Sequence, residues 1–340
     1  MRGLSPIRFL KMLCLVTLLG VLALCLLPHD PYIRFQQLAS ESVHYLRVKW
    51  IYERVHFDQT PIDVAFIGTS HTQSGIDSEH VEAVLRARGV DQHVVNFAVP
   101  HLGRDLEYLV ARELLEHRQI RTLVIEVQQS EARAPHPGFQ RLATAGDMLQ
   151  APLLINTGVV DNFVRLPLRQ LDLSLRTAFP AWFGLQGQFD VKQYEGPHWN
   201  DTYRLHGFAK ARTTVYTRAE FEPELAVLRK AQAQRAALAR KLDLPFMEFN
   251  LTSRYNDLYL QEMVELAKRH SVQVVFLYLP FLDEPGLPQH RAWLERQAKI
   301  MVPTEIIHDS SIWQNADHLN YSGAQKLSAW VADQLAAVSH

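Results

Sequence analysis

Residues 66–76 (FIGTSHTQSGI) place a serine where nucleophilic chemistry would need one. Ser70 follows an apolar run and a Gly-Thr pair, which predicts a buried strand that ends at a turn. A serine in such a turn can expose its hydroxyl and offer its own amide, so one residue would supply both a nucleophile and an oxyanion donor. The same stretch is also consistent with a plain turn in which Ser70 only caps a helix.

Residues 313–323 (WQNADHLNYSG) could supply the matching base, because His318 follows Asp317 directly. A histidine beside a carboxylate can act as a general base that the carboxylate orients. The chain has 16 histidines, so such a pair also arises by chance. The rival bases are His71, His101 and His198. His71 adjoins Ser70 and would point away from it, so we favour His318.

Residues 95–105 (VNFAVPHLGRD) contain a third candidate, Gly103. A glycine permits close approach of the backbone, and its amide could donate to a developing oxyanion. An ordinary loop glycine explains the residue equally well.

All three stretches lie at the ends of predicted elements that alternate between strand and helix. Alternation at this spacing is typical of an α/β fold with a parallel sheet, whose ligands bind at the carboxyl ends of the strands. Ser78 is the expected N-cap of the first of these helices. The predicted strands cover residues 63–68, 93–97, 122–127, 272–279 and 305–308. The predicted helices cover residues 78–88, 106–117, 218–242, 255–270, 290–300 and 322–338.

The N-terminal region is predicted to be a membrane anchor. Residues 12–27 carry no charge, and a helix over residues 9–27 would span roughly 28 Å, close to the hydrocarbon thickness of a bilayer. Arg2, Arg8 and Lys11 precede the run, so the positive-inside rule places the N-terminus in the cytoplasm. A cleaved signal peptide and a lipidated Cys25 are the alternatives.

This interpretation divides the chain into three parts. Residues 1–28 form a cytoplasmic tip and a transmembrane signal anchor, and residues 29–60 form a juxtamembrane stalk. Residues 61–340 form the catalytic domain, whose core begins at Ile62 and which carries an irregular insertion at about 131–250.

Composition excludes several classes of protein. The 35 Lys+Arg and 36 Asp+Glu residues give a net charge of −1, which argues against a nucleic-acid binder with a global positive field. Apolar residues make up 47% of the chain, which is typical of a globular protein. The two cysteines, Cys14 and Cys25, both lie in the apolar N-terminal run, so the body has no thiol nucleophile, cysteine zinc site or disulfide framework.

Taken together and in this order, the three stretches resemble the SGNH (GDSL-type) hydrolase superfamily. The resemblance is closer to its membrane-anchored branch in bacterial envelopes, which includes the D-alanyl transfer protein of teichoic acids and the O-acetylation proteins of exopolysaccharides. It covers residues 62–130 and 272–336. It implies a three-layer α/β/α, flavodoxin-like domain with a mainly parallel sheet, and neither a metal nor a cofactor.

The resemblance also implies roles for single residues. Ser70 would be the nucleophile and His318 the base, with the amides of Ser70 and Gly103 as oxyanion donors. The family's acid often lies three residues before the histidine, where this chain has Asn315, so we assign Asp317 as the acid with Asn315 as its competitor. Asn96 belongs to the family's second motif and would contribute to the oxyanion or substrate-binding site. The family's later asparagine is missing, so Gln128, Gln129 or Ser130 could donate instead, or this third oxyanion donor is absent.

The implied activity is transfer of an acyl group, most simply acetyl, to an envelope or secreted polysaccharide. The resemblance implies a membrane-bound O-acyltransferase partner and a catalytic domain on the periplasmic side of the inner (cytoplasmic) membrane. An esterase that removes acyl groups with the same residues is one alternative. A catalytically inactive scaffold of a polysaccharide modification or secretion complex is the other.

Overall fold

The computed structural model describes residues 5–129, 131, 134–151, 158–199, 216–241, 254–283, 287–288 and 290–337. Within these residues, five strands form one sheet: β1 (Val64–Ile67), β2 (Val94–Asn96), β3 (Thr122–Val127), β4 (Gln273–Tyr278) and β5 (Lys299–Met301). Their order across the sheet is β2-β1-β3-β4-β5, and every neighbouring pair is parallel. The predicted α/β fold with a parallel sheet is confirmed.

Helices pack around this sheet, and three of them come before its first strand in the sequence. The helices before β3 are α1 (Pro6–Cys25), α2 (Pro31–Glu41), α3 (Leu46–His56), α4 (Ser70–Gly75), α5 (Ser78–Ala87) and α6 (Arg104–His117). Those after β3 are α7 (Phe139–Leu142), α8 (Ala145–Gln150), α9 (Val159–Ala178), α10 (Arg218–Lys241), α11 (Arg254–Arg269), α12 (Arg291–Gln297), α13 (Thr304–Ile307) and α14 (Tyr321–Ala336). Short 3-10 helices cover Val43–Tyr45, Pro180–Phe183 and Ser310–Ile312.

Each face of the sheet is covered by apolar side chains. Every residue of β1 and β3 is buried, which explains their continuous apolar character. Successive side chains on a strand point to opposite faces. Accordingly, Val64 and Phe66 pack with residues of α5 and α14, whereas Ala65 and Ile67 pack with residues of α3, α6 and α11.

Helices α2 and α3 belong to the core. Phe35, Val48 and Trp50 are at most 1% exposed and pack in the same cluster as Ile67. The assignment of residues 29–60 to a stalk is therefore wrong, as is the expectation that the core begins at Ile62. Polar residues of this segment are buried because other elements supply hydrogen-bond partners: Arg34 donates to the carbonyl of Leu142, and Arg47 donates to that of Asn96.

Helix α1 differs from α2 and α3, because none of its residues is buried. Its mean hydropathy is 2.2 over an 18-residue window, and among the described residues it is the helix long and apolar enough to cross a membrane. It begins at Pro6, three residues before the predicted start at 9, and it ends at Cys25, two residues before the predicted end at 27.

Several predicted elements need correction. Residues 305–308 were expected to be the last strand, yet Ile306 and Ile307 belong to the short helix α13, where both pack against the core. The last strand is β5, which begins inside the predicted helix 290–300 and ends one residue beyond it. Asp77 rather than Ser78 caps α5, since its Oδ1 accepts a hydrogen bond from the amide of His80 at 3.1 Å.

The insertion at about 131–250 is more regular than expected where it is described. It contains the 20-residue helix α9 and the predicted long helix, which runs over Arg218–Lys241. The apolar residues of α9 follow a helical period, but those on one side of the helix, including Val160, Val164 and Leu168, are exposed.

Candidate active site

The turn between β1 and α4 presents Ser70. Ser70 is the first residue of α4, and the hydroxyl of the N-cap Thr69 accepts a hydrogen bond from the amide of His71 at 3.3 Å. The turn also explains Gly68, since a Cβ there would lie 2.5 Å from Oε2 of Glu126. The backbone of the turn thus passes directly over a buried carboxylate.

Glu126 is the residue that fixes this turn. Its carboxylate accepts hydrogen bonds from the amide and hydroxyl of Thr69, both at 2.8 Å. It also accepts from the hydroxyl of Thr72 at 2.6 Å and from the amide side chain of Gln128 at 2.8 Å. Burial alone would raise the pKa of Glu126, but the charge of His71 and these hydrogen bonds lower it below its usual value. Glu126 was not among the candidates predicted from the sequence, although a lone acid inside an otherwise apolar run is a signal.

The structure brings His318 to Ser70 across 248 positions of sequence. The Nε2 atom of His318 lies 2.9 Å from Oγ of Ser70. A compact loop holds the imidazole: Trp313 and Leu319 form a β-bridge, and the amide of Gln314 donates to the carbonyl of His318 at 2.9 Å. The distance is that of a nucleophile and its general base.

Asn315 occupies the place behind His318. Its Oδ1 atom accepts from the backbone amides of His318 (2.6 Å) and Asp317 (3.0 Å), and lies 3.2 Å from Nδ1 of His318. An amide oxygen can only accept, so Nδ1 carries the proton in this contact and Nε2 is left to accept from Ser70. This network assigns the tautomer of His318.

Asp317 does not take the role that the sequence assigned to it. Its carboxylate is 3.9 Å from Nδ1 of His318, beyond hydrogen-bond range, and 2.8 Å from Nε2 of His71. The loop bends sharply here, because Oδ1 of Asn315 accepts from the amides of both Asp317 and His318, and the bend directs the carboxylate of Asp317 toward His71. Asn315 is therefore the orienting residue of this arrangement.

His71 carries a positive charge beside the Ser70–His318 pair. Its Nδ1 lies 3.1 Å from the carbonyl of Leu279 and its Nε2 faces Asp317, so both nitrogens meet atoms that only accept. Both contacts are filled only when both nitrogens are protonated. Burial alone would lower the pKa of His71, but Asp317 and Glu126 raise it to about 10. Burial would likewise raise the pKa of Asp317, yet the His71 charge holds it well below its usual range.

Asn96 and Gly103 do not line the cavity among the described residues. The Asn96 amide donates to the carbonyls of Thr72 and Ile76, both at 2.9 Å, so it ties α4 to β2 rather than contacting a ligand. Gly103 has φ 151°, and a Cβ there would lie 2.3 Å from the side chain of His136. This close approach accounts for the glycine without an oxyanion role.

The other candidate residues differ in whether they line the cavity. Gln128 lines the cavity, but its amide nitrogen donates to Glu126 at 2.8 Å and approaches the hydroxyl of Thr69 at 3.4 Å. Gln129 also lines the cavity, and Ser130 lies outside the described residues. His101 lines the cavity wall with φ 75°, a strained conformation for a histidine. His198 lies elsewhere, at 3.3 Å from the hydroxyl of Ser78.

The cavity that contains Ser70 has a volume of about 750 Å³. Its polar end is formed by the site residues described above. Its other walls are largely apolar and come from the loops after the strands and from α10: Pro100, Leu102, Pro135, Leu228, Leu279 and Phe281. Such a volume accommodates a ligand considerably larger than an acetyl group.

Within the part of the chain that the structure describes, two groups of residues could offer ligands to a metal ion. The ligand atoms of His71, Asp317 and His318 lie within 4.8 Å of one another, as do those of His56, Glu113 and His117. In the first group, however, Nε2 of His318 faces Ser70 and both nitrogens of His71 donate to oxygens. A metal there would have to displace the contacts that position Ser70 and His318.

Comparison of the chain with protein-family models found no match, and comparison with curated proteins also found none. The chemistry of the site is therefore inferred from its geometry. A serine, a histidine with an assigned tautomer and an adjoining cavity can together transfer an acyl group through an ester on the serine.

Proposed function

We propose that this protein is a membrane-anchored acyltransferase in which Ser70 and His318 carry an acyl group, most simply acetyl, to a hydroxyl of an envelope or secreted polysaccharide. The observation that carries the proposal is the 2.9 Å contact between Oγ of Ser70 and Nε2 of His318, at the polar end of an apolar cavity. The proposal includes an SGNH-like, three-layer arrangement of the domain.

The first half-reaction acylates Ser70. Its hydroxyl oxygen attacks the carbonyl carbon of the donor ester while Nε2 of His318 takes the hydroxyl proton. As the imidazolium forms, Nδ1–H of His318 donates to Oδ1 of Asn315, which holds the ring in place. The donor alcohol then leaves with the proton from His318, and Ser70 keeps the acyl group as an ester.

The second half-reaction is the reverse with a different alcohol. A sugar hydroxyl gives its proton to His318, attacks the acyl-serine and becomes the new ester, after which Ser70 regains the proton. With water in place of the sugar, the same residues form an esterase. The apolar walls favour the transferase, because a cavity filled by donor and acceptor excludes competing water.

A catalytically inactive scaffold is the second candidate. The observation in its favour is the amide of Asn315, since an amide stabilises an imidazolium less than a carboxylate does. Both versions of the proposal place α1 in the inner (cytoplasmic) membrane with the domain on the periplasmic side. A membrane-bound O-acyltransferase that supplies the acyl group belongs to the active version.

The test is covalent capture of Ser70 in the full-length protein purified in detergent. A fluorophosphonate should add once to Ser70, as measured by intact mass and peptide mapping, and 4-nitrophenyl acetate should be hydrolysed slowly. Ser70→Ala should lose both the adduct and the hydrolysis. Retained hydrolysis in Ser70→Ala, or an unlabelled wild-type protein, would overturn the assignment of Ser70.

Ser311→Ala is the matched control, because Ser311 lies on an exposed 3-10 helix where its hydroxyl bonds to Asp309. It should behave like the wild type. Adding a polysaccharide fragment then separates the two activities: a transferase should divert acyl groups from water to the sugar, as measured by mass spectrometry of the fragment, whereas an esterase should release only the free acid.

A further inference from the structure

Helix α9 has its apolar side turned outwards. The residues on its inner side are buried: Asn162, Leu166, Arg169, Gln170 and Leu173. Three of these five are polar, and one of those three, Arg169, is charged, which is unusual for a side that faces a protein. On an ordinary surface helix the apolar stripe faces the core and the polar residues face water.

The opposite side of α9 consists of large apolar residues at helical spacing. Val160, Val164 and Leu168 succeed one another every four residues and are 72%, 70% and 69% exposed. Leu175 and Phe179 continue the stripe, each at 44%. These positions fall on one side of a helix with 3.6 residues per turn. We call this stripe the outer face of α9.

The outer face ends in an exposed aromatic cluster. Phe179 stacks on Trp182 with ring centroids 4.5 Å apart, and Trp182 is 79% exposed. Contiguous apolar surface of this extent on a folded domain marks an interaction site. Tryptophan beside an amphipathic helix is typical of segments that lie at the boundary between lipid and water.

The position of α9 identifies what covers this surface. Its Gln170 side chain donates to the carbonyl of Cys25, the last residue of α1, at 3.3 Å. The hydroxyl of Thr177 accepts from the amide of Asp30 at 3.0 Å. One contact therefore involves the last residue of α1, and the other involves the chain just after it. Helix α9 is thus fixed where the candidate membrane span ends.

We propose that the outer face of α9, together with Trp182, lies in the interfacial layer of the same bilayer that α1 spans. The inference rests on α1 as a membrane span and is independent of the chemistry at Ser70. When this apolar stripe enters the lipid next to the span, it attaches the domain to the membrane at a second place. Two attachments fix the orientation of the domain, whereas a single helix would leave it free to rotate.

The test compares two valines in the full-length protein. Val164 on the outer face and Val227 on α10 are 70% and 68% exposed, so they match in type and exposure. In a Cys14→Ser, Cys25→Ser background, Val164→Cys and Val227→Cys are labelled with bimane. The purified proteins are reconstituted in vesicles of phosphatidylethanolamine and phosphatidylglycerol. The fluorescence is quenched either by nitroxide-labelled lipid or by iodide in the water.

The label at position 164 should be quenched about threefold or more strongly by the labelled lipid than the label at 227, and iodide should show the opposite order. Equal access of iodide to both labels would overturn the proposal. Protection of position 164 from both quenchers would also overturn it, since protein rather than lipid would then cover the face. A label at Leu18, which is 56% exposed on α1, reports separately whether α1 itself enters the bilayer.

Discussion

Polar residues are abundant in two regions of the molecule. One region is helices α2 and α3, and the other is the two segments that carry Ser70 and His318. The polar residues make different contacts in the two regions. In the two segments, they face one another and a cavity, as the 2.9 Å contact between Ser70 and His318 illustrates. In α2 and α3, they reach across to the main chain of distant segments. The Nε atom of Arg54, for example, donates to the carbonyl of Pro197 at 3.1 Å.

The comparison shows that polar composition alone does not distinguish a surface helix from a core helix. Arg47 and Arg54 are each 1% exposed, although arginine is almost never buried without partners. Their hydrogen bonds to carbonyl oxygens make burial possible, and apolar neighbours such as Trp50 then complete the core. Such partners lie far away in sequence and leave no local pattern.

The two regions are also joined physically. Arg47 donates to the carbonyl of Asn96 at 2.7 Å, and the Asn96 side chain donates to the carbonyls of Thr72 and Ile76. Thr72 lies in α4, which begins with Ser70. The N-terminal helices therefore support the turn that holds the proposed nucleophile.

Deleting either part of the N-terminal region gives the largest test of the comparison. A chain that lacks residues 1–57 loses α2 and α3 and should not fold, because it exposes one side of the core. A chain that lacks residues 1–28 loses only α1, whose residues are unburied, and should keep a cooperative thermal transition. Circular dichroism and thermal unfolding of both chains in mild detergent measure the outcome.

If the chain without residues 1–57 folds cooperatively, α2 and α3 are not needed for the core and could be a stalk. If the chain without residues 1–28 fails to fold, α1 contributes to folding, although none of its residues is buried.

Two tryptophans test the same contrast at single residues. Trp50 is 1% exposed and its indole donates to the carbonyl of Gly196 at 2.8 Å, whereas Trp182 is 79% exposed. Trp50→Ala should lower the free energy of unfolding by about 3–5 kcal/mol, because it opens a cavity in the core. Trp182→Ala should change it by less than about 0.5 kcal/mol. Chemical denaturation in detergent gives both values, and equal effects would contradict the contrast.

Much of the sheet and its carboxyl edge could be predicted from the sequence. Strand β3 has the predicted bounds of 122 and 127, because a fully buried parallel strand is mainly apolar; Glu126 is the exception, and its carboxylate serves the site. The position of Ser70 follows from the same rule, since it comes directly after the buried strand β1, whereas His318 lies beyond the edge strand β5 and helix α13, so the rule alone does not bring it to Ser70.

The partners of each site residue could not be predicted in the same way. Asp317 adjoins His318 in sequence, yet it pairs with His71, while Asn315 reaches Nδ1 of His318. Which side a loop residue faces depends on backbone angles that short spacing does not determine. Glu126 is a further case, because its five donors come from residues whose positions only the folded turn defines.

Replacing Asn315 tests the geometry behind His318. Asn315→Ala removes the oxygen that holds Nδ1, and we expect kcat/KM for 4-nitrophenyl acetate to fall about 10²-fold, less than the loss expected when a charged orienting residue is removed. Asp317→Ala should lower it only a few-fold, because Asp317 lies 3.9 Å from that nitrogen. The reverse order of the two variants would restore Asp317 as the orienting residue.

The smallest expected effect concerns the ion pair of His71 and Asp317. His71→Gln keeps a donor toward Asp317 but removes the charge, and should lower the free energy of unfolding by about 1–2 kcal/mol near neutral pH, since water still reaches the carboxylate.

The pKa of His71 is raised in the folded protein to about 10 from an ordinary 6.5, so its stabilisation is complete below pH 6.5 and is lost as the pH rises through 10. The lowered pKa of Asp317 acts in the opposite sense, and its contribution is lost only as the pH falls below the ordinary range of aspartate. Chemical denaturation of the two proteins from pH 4 to 11 should therefore show a difference that is constant between about pH 4.5 and 6.5 and then shrinks toward pH 10. A difference that grows as the pH rises would mean that His71 is neutral in the folded protein, and the hydrogen bonds assigned to its two nitrogens would be wrong.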